Sequence, residues 1–278
     1  MIASQCYTTG RIEAAVGYSD AGQIVVGRSR EALSYGIEAW LGAVYVAIGQ
    51  PERLVELCRA QLARCPDTRV YIWAWLVVAL AVAGSGAEAM DCADGLIEAA
   101  EATGDPHLLA LALWAYGTAF RGADPVGALK ALGRGLVIAQ DGGNRTVASV
   151  LANTLALLEA GQDGTVSAFD HLTLAIRSYH NSGNTTSLRV PLAVLAAHFD
   201  RLGRYEPAAT IAVGFALSPF SAAAVPEITT AIAHLRDVLG DQTYEALAHK
   251  GETMTTAEMA TYVYDQIDQA RTELEHPS

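Results

Sequence analysis

The sequence of 278 residues predicts an all-α protein built from successive helical hairpins. Hydrophobic residues make up 51% of the chain and aromatic residues only 7%. Much of the apolar content is therefore Ala, Leu and Val, and small side chains of this kind favour closely packed helices. Sustained alternation of apolar and polar residues, which is typical of strands, is not seen in the sequence.

Breaks between helices recur with a period of about 39–40 residues, which indicates a helical repeat protein. Gly104-Asp105, Gly143-Asn144 and Gly183-Asn184 are each separated by one such period, and one further step back leads to the turn at Cys65. Glycine supplies the left-handed conformation that ends a helix, and the following Asp or Asn caps the next one. The period lies between the tetratricopeptide length of about 34 residues and the HEAT/armadillo range. It predicts a right-handed superhelix of tetratricopeptide-like (TPR-like) hairpins with a continuous core.

Second breaks inside each period divide it into two helices. A degenerate helix is expected over 11–20, and the repeat helices are expected at 29–48, 51–64, 68–83, 87–102, 106–121, 125–140, 145–160, 165–181, 185–202 and 204–217. After Ser218 the period is lost, and three helices are predicted: from Pro226 to Leu239, from there to Lys250, and from the Thr255 capping box to Glu275. The sequence therefore predicts TPR-like repeats over 1–217 and a C-terminal helical cap over 218–278.

Charge and apolar content exclude several classes of protein. Acidic residues outnumber basic ones by 30 to 18, for a net charge of −12, whereas nucleic-acid binders carry a basic face. The apolar run over 70–83 is fourteen residues long, and a membrane span needs about 20. We therefore expect no direct nucleic-acid or membrane binding.

Cysteine usage and the N-terminal sequence both predict a cytoplasmic protein. Cys6, Cys58, Cys65 and Cys92 form no CxxC pair, and they are interpreted as small buried hydrophobic residues in a reducing compartment. Cys58 and Cys65 are seven residues apart and could share one helix face, which leaves a regulatory disulfide as the alternative. The first ten residues contain no targeting signal.

Three stretches of the chain resemble the C-terminal helical repeats of large actinobacterial signalling proteins. They are 139–202, Tyr205-Glu206-Pro207-Ala208-Ala209, and the ending from Leu239-Gly240-Asp241 through Tyr264. The proteins in question are LuxR-type ATPase regulators and related class III adenylate cyclases, in which an NTPase module precedes TPR-like repeats. The resemblance implies an interaction or sensor role in a signalling or transcriptional regulator. It also implies a protein or peptide partner, such as an NTPase or cyclase module.

Catalytic, metal and cofactor motifs are not found in the sequence. There is no GxxxxGK[ST] phosphate loop, no HExxH pair and no GxSxG elbow. The seven histidines are interpreted as isolated surface or groove residues: His107, His171, His180, His198, His234, His249 and His276. We therefore expect a non-catalytic protein without a cofactor.

Two sets of equivalent positions are candidates for partner binding. Trp75, Trp114 and Asn153 follow one another at intervals of one period, either as packing between repeats or as aromatic anchors of a peptide groove. Cationic or cation-capable residues recur near the start of each first helix, either as solvated helix ends or as a rim for an acidic partner. The predicted partner-binding residues are Arg69, His107, Trp114, Arg145, Asn153 and Arg189.

The predicted role is recognition of a protein or peptide on the concave face of the superhelix. A small-molecule effector held between repeats is the first alternative. A helical-bundle enzyme is the second, and clustered acidic or histidine ligands would favour it.

Overall fold

The computed structural model describes residues 2–28, 44–64, 69–162 and 165–276. Helices account for 85% of the described residues, and the residues in these four ranges form no strand. The predicted all-α fold class is confirmed, whereas the right-handed superhelix stays a prediction.

The helices follow one another with short connections. In chain order they are α1 (Ile2–Thr8), α2 (Ile12–Arg28), α3 (Pro51–Arg64), α4 (Arg69–Val82), α5 (Gly86–Ala93), α6 (Leu96–Thr103), α7 (Pro106–Phe120), α8 (Pro125–Asp141), α9 (Arg145–Ala160), α10 (Thr165–Asn181), α11 (Thr185–Arg201), α12 (Tyr205–Ile211), α13 (Pro219–Ala224), α14 (Glu227–Leu239), α15 (Asp241–Glu252) and α16 (Thr256–Glu275). Residues 44–47 are also helical, whereas 29–43 of the predicted helix 29–48 lie outside the described residues.

The chain divides into two compact units, Met1–Thr154 and Leu155–Ser278. The division falls within α9. The predicted boundary between repeats and cap, at residues 217 and 218, lies inside the second unit and stays a prediction.

The joints between hairpins have the conformation that the sequence predicts. Gly104, Gly143 and Gly183 have φ values of 68°, 66° and 66°. The Asp or Asn after each glycine accepts a hydrogen bond from a backbone N–H in the first turn of the next helix: Asp105 from His107, Asn144 from Val147 and Asn184 from Ser187. The earliest predicted joint, at Cys65, lies outside the described residues.

The predicted single helix at 87–102 is wrong. Two helices, α5 and α6, replace it, and they are separated at Asp94 and Gly95, where Gly95 has φ of 71°. The indole N–H of Trp73 donates to the carbonyl of Cys92 at the end of α5. A side chain from α4 thus satisfies a carbonyl that the break leaves free.

The second unit differs from the prediction around residue 212. The sequence predicts one helix over 204–217. In the structure α12 ends at Ile211, and a π-helical turn, Ala212–Ala216, follows it directly. The backbones of Gly214 in this turn and Gly251 in α15 lie close together, so a Cβ atom at Gly214 would overlap the backbone of Gly251. A Cβ atom at Gly251 would in turn overlap the carbonyl oxygen of Thr210. This close approach needs glycine in α15.

We predict that alanine changes the free energy of unfolding in opposite directions at Gly133, inside α8, and at Gly143, in the joint after α8. A Cβ at Gly133 or at Gly143 meets no atom within 4 Å, but only Gly143 has positive φ. Gly143→Ala should lower the free energy of unfolding by about 1–2 kcal/mol. Gly133→Ala, in the interior of α8, should raise it by roughly 0.5–1 kcal/mol. Urea unfolding followed by circular dichroism measures both, and equal signs would contradict the assigned joint.

Candidate partner-binding site

The first helices of three successive hairpins, α4, α7 and α9, contribute to one cluster in the first unit. We call it the aromatic–amide face, and its members are Tyr71, Trp75, His107, Trp114 and Asn153. Tyr71 and Trp75 are four residues apart on α4, and His107 and Trp114 are seven apart on α7. At these spacings both pairs lie on one side of their helix.

Ring contacts join α4 to α7. The ring centroids of Tyr71 and His107 are 6.3 Å apart, and those of Trp75 and Trp114 are 5.6 Å apart with an interplanar angle of 79°. This edge-to-face geometry is favourable for aromatic pairs. Both tryptophans nevertheless remain half-buried. Of the two interpretations from the sequence, packing between repeats is seen for Trp114, and the role of aromatic anchor in a peptide groove stays a prediction.

A hydrogen bond joins Trp114 to α9. Its indole N–H donates to Oγ1 of Thr154 at 3.1 Å, and the Thr154 hydroxyl donates to the carbonyl of Val150. Thr154 itself is buried. The indole ring is thus held in place from both neighbouring helices.

The side chain of Asn144 connects α9 to His107. Its Oδ1 accepts from the N–H of Val147 at 3.1 Å, and its Nδ2 lies 2.7 Å from Nδ1 of His107. Because Oδ1 caps the helix, the amide NH₂ faces His107 and must donate. Nδ1 therefore accepts, and neutral His107 carries its proton on Nε2. No described residue bonds to that Nε2–H.

Asn153 has an unsatisfied carbonyl oxygen. Its Oδ1 is buried and finds no hydrogen-bond partner in the part of the chain that the structure describes. The residue stands beside Thr154 and is half-buried as a whole. A buried acceptor without a partner costs stability and is uncommon in native proteins. Because this oxygen is shielded from solvent, a donor from outside the chain reaches it only if the side chains around Asn153 move.

The three predicted arginines have different surroundings. Arg145 is exposed at the start of α9, and it forms no ion pair within the described ranges. Arg69 is exposed at the start of α4, with its guanidinium 5.7 Å from the Trp73 ring. Trp73 bonds to α5, so Arg69 lies on the α5 side of α4, away from Tyr71.

Arg189 belongs to the second unit and is used within it. Its guanidinium donates to the carbonyls of Phe215 and Leu217. Burial lowers the pKa of Arg189.

Among the six predicted residues, His107 and Trp114 of α7 contact Asn144, the cap of α9, and Thr154 within α9. Arg145 and Asn153 are the chain neighbours of Asn144 and Thr154. Arg69 lies on the α5 side of α4, and Arg189 belongs to the second unit.

The described residues offer no candidate metal site. No group of three or more His, Cys, Asp or Glu side chains among them could hold a metal ion. None of the helices that the structure describes is both long and apolar enough to span a membrane. Cys6 and Cys58 are buried as predicted, Cys92 is half-buried, and Cys65 lies outside the described residues.

The interpretation of His198 as a surface or groove residue is wrong. His198 is only 2% exposed, and neither ring nitrogen has a hydrogen-bond partner among the described residues. Its ring meets that of Phe169 edge to face at 5.2 Å. Burial, together with the positive charge of Arg201, lowers the pKa of His198 to about 4. The burial of His198 could have been predicted from the sequence, because the residue lies in a largely apolar run over 190–199, all of which is buried.

Comparison with known proteins yields no assignment, since no protein-family model and no curated protein sequence matches the chain. The candidate site therefore depends on the contacts of its own residues.

We predict that Asn153 and Asn144 respond oppositely to the same substitution. Asn153→Leu removes an unpaired buried carbonyl, so the free energy of unfolding should stay unchanged or rise by up to about 1 kcal/mol. Asn144→Leu removes the cap of α9 and the bond to His107, and should cost about 1–2 kcal/mol. Urea midpoints compare the two variants. A comparable loss in Asn153→Leu would show that this amide serves the fold.

We predict an acid-dependent loss of stability caused by His198. Its pKa is about 4 in the folded protein and 6.5 ordinarily, so the unfolded chain binds this proton first as pH falls. The stabilisation is complete above pH 6.5 and declines toward pH 4, by about 3 kcal/mol. Urea unfolding from pH 7.5 to 4 should show a smaller decline in His198→Leu than in the wild type. His249→Gln, at an exposed position, is the control, and parallel wild-type and His198→Leu profiles would refute the assignment.

Proposed function

We propose that the chain is a non-catalytic recognition module of a cytoplasmic bacterial signalling or transcriptional regulator, and that it binds an acidic peptide segment of a partner protein on the aromatic–amide face. The observation that carries the proposal is the unpaired carbonyl oxygen of Asn153, which precedes Thr154, the residue to which the half-buried indole of Trp114 donates. The assignment to a signalling regulator comes from the sequence resemblance alone.

The composition of the face suits protein recognition. Tryptophan and tyrosine are enriched among residues that dominate binding energy, because they bury a large area with few torsions to fix. Trp114 meets this condition, since Trp75 and Thr154 already restrain its ring. When a bound peptide displaces the side chains over Asn153, a backbone N–H of the peptide that donates to Oδ1 would relieve the cost of an unpaired acceptor. Binding energy would thus be gained at a position that weakens the free protein.

A local cation, in contrast to the net charge of the chain, favours an acidic group in the partner. The chain has a net charge of −12, so long-range attraction cannot guide most anionic molecules to it. A local cation is required, and Arg145 supplies one next to Asn144 without an ion pair to another described residue. Cations in such places act mainly on orientation and on the choice of partner.

A display selection with random dodecapeptides on the purified chain tests this proposal. The enriched peptides should be acidic, and Asn153→Leu and Arg145→Glu should each weaken their binding by about tenfold or more, since one lost contact of this class is worth about 1.4 kcal/mol. Lys130→Glu makes the same charge change at an exposed site on α8 and should leave binding unchanged. Failure to enrich any peptide, or equal binding by all variants, would overturn the proposal.

A further inference from the structure

The amide of Asn144 determines which hydrogen-bonding group His107 presents. Since Oδ1 of Asn144 is committed to the N–H of Val147 and its Nδ2 to Nδ1 of His107, the remaining nitrogen of neutral His107 is a donor and cannot accept. A ligand group that meets this nitrogen must therefore be an acceptor, such as a carboxylate or carbonyl oxygen.

The nearby carboxylates of the protein are already used. Asp105, the acidic residue nearest to His107 in sequence, accepts from the backbone N–H of His107 as the cap of α7. Glu101 pairs with Arg134. Neither carboxylate bonds to Nε2 of His107, so among the described residues this N–H is left open to an acceptor from outside the chain.

A cation and a helix end reinforce the same preference. Arg145 directly follows Asn144, so its backbone lies next to the residue that bonds to His107. It is also the first residue of α9, where the helix dipole is positive. An acceptor that bonds to His107 therefore lies near the positive end of α9, whose first residue, Arg145, is an exposed cation, and these surroundings suit a carboxylate better than a neutral carbonyl.

We propose that His107 is a specificity-determining residue that, with Arg145, binds a carboxylate of the peptide ligand. The proposal rests on the proposed function, because it presupposes that a peptide occupies the aromatic–amide face. It adds the position of one acidic group relative to that face. The carboxylate lies at the start of α7 and α9, and the part of the peptide that meets Trp114 and Asn153 lies two turns further along these helices.

The same display selection, repeated on His107→Phe, tests the inference separately. Phenylalanine keeps a ring against Tyr71 and removes the donor. The wild type should enrich peptides with Asp, Glu or a free C-terminal carboxylate at one position, and His107→Phe should lose that preference while it keeps the preferences that depend on Asn153. An unchanged acidic preference in His107→Phe would overturn the inference and leave peptide binding standing. If the wild type enriches no peptide, both proposals fall.

A spectroscopic measurement on the wild-type protein tests, without a ligand, which nitrogen of His107 carries the proton. Long-range ¹H–¹⁵N correlation of the His107 imidazole should show the neutral form protonated at Nε2. In Asn144→Asp the cap is retained, but the carboxylate should instead accept from Nδ1–H, which moves the proton. A wild-type imidazole protonated at Nδ1 would overturn the inference even if peptides bind.

Discussion

The joint between two hairpins is the constraint on which the candidate site depends. At each described joint a glycine in the left-handed conformation ends one helix, and an Asp or Asn side chain begins the next. The two residues together set where a first helix starts and how it is rotated. Only with that start do positions one period apart meet, as Trp75 and Trp114 do. A shift of one residue would turn these side chains by about 100° around the helix axis.

Much of the fold could be read from the residue types at the breaks, because Gly, Pro, Asp and Asn have strong local preferences that neighbours seldom override. The parts that could not be read depend on distant contacts. The break at Gly95 is accompanied by an indole from α4, and the π-helical turn lies against a glycine of α15 and the guanidinium of Arg189. None of these three partners is near in sequence.

The candidate site, like the fold, could be predicted from the sequence only in part. Equivalent positions in the repeats correctly placed Trp114 against its neighbour, because the period alone brings residues 75 and 114 together. The period could not reveal that Trp114 would bond to Thr154 rather than to Asn153, since this depends on side-chain torsions in α9. It also could not separate Arg145 from Arg189, although one is exposed and the other is enclosed by backbone carbonyls. Residue type and spacing predict a face, and packing decides which members stay reachable.

The bond between Asn144 and His107 has a structural consequence. One amide group holds the first turn of α9 with its oxygen and the imidazole of the preceding hairpin with its nitrogen. Loss of this polar side chain would uncap α9 and release the His107 ring at the same time. The start of one helix and the imidazole of the preceding hairpin are therefore coupled through a single side chain, and a substitution at residue 144 that abolishes its polar group cannot remove one contact without the other.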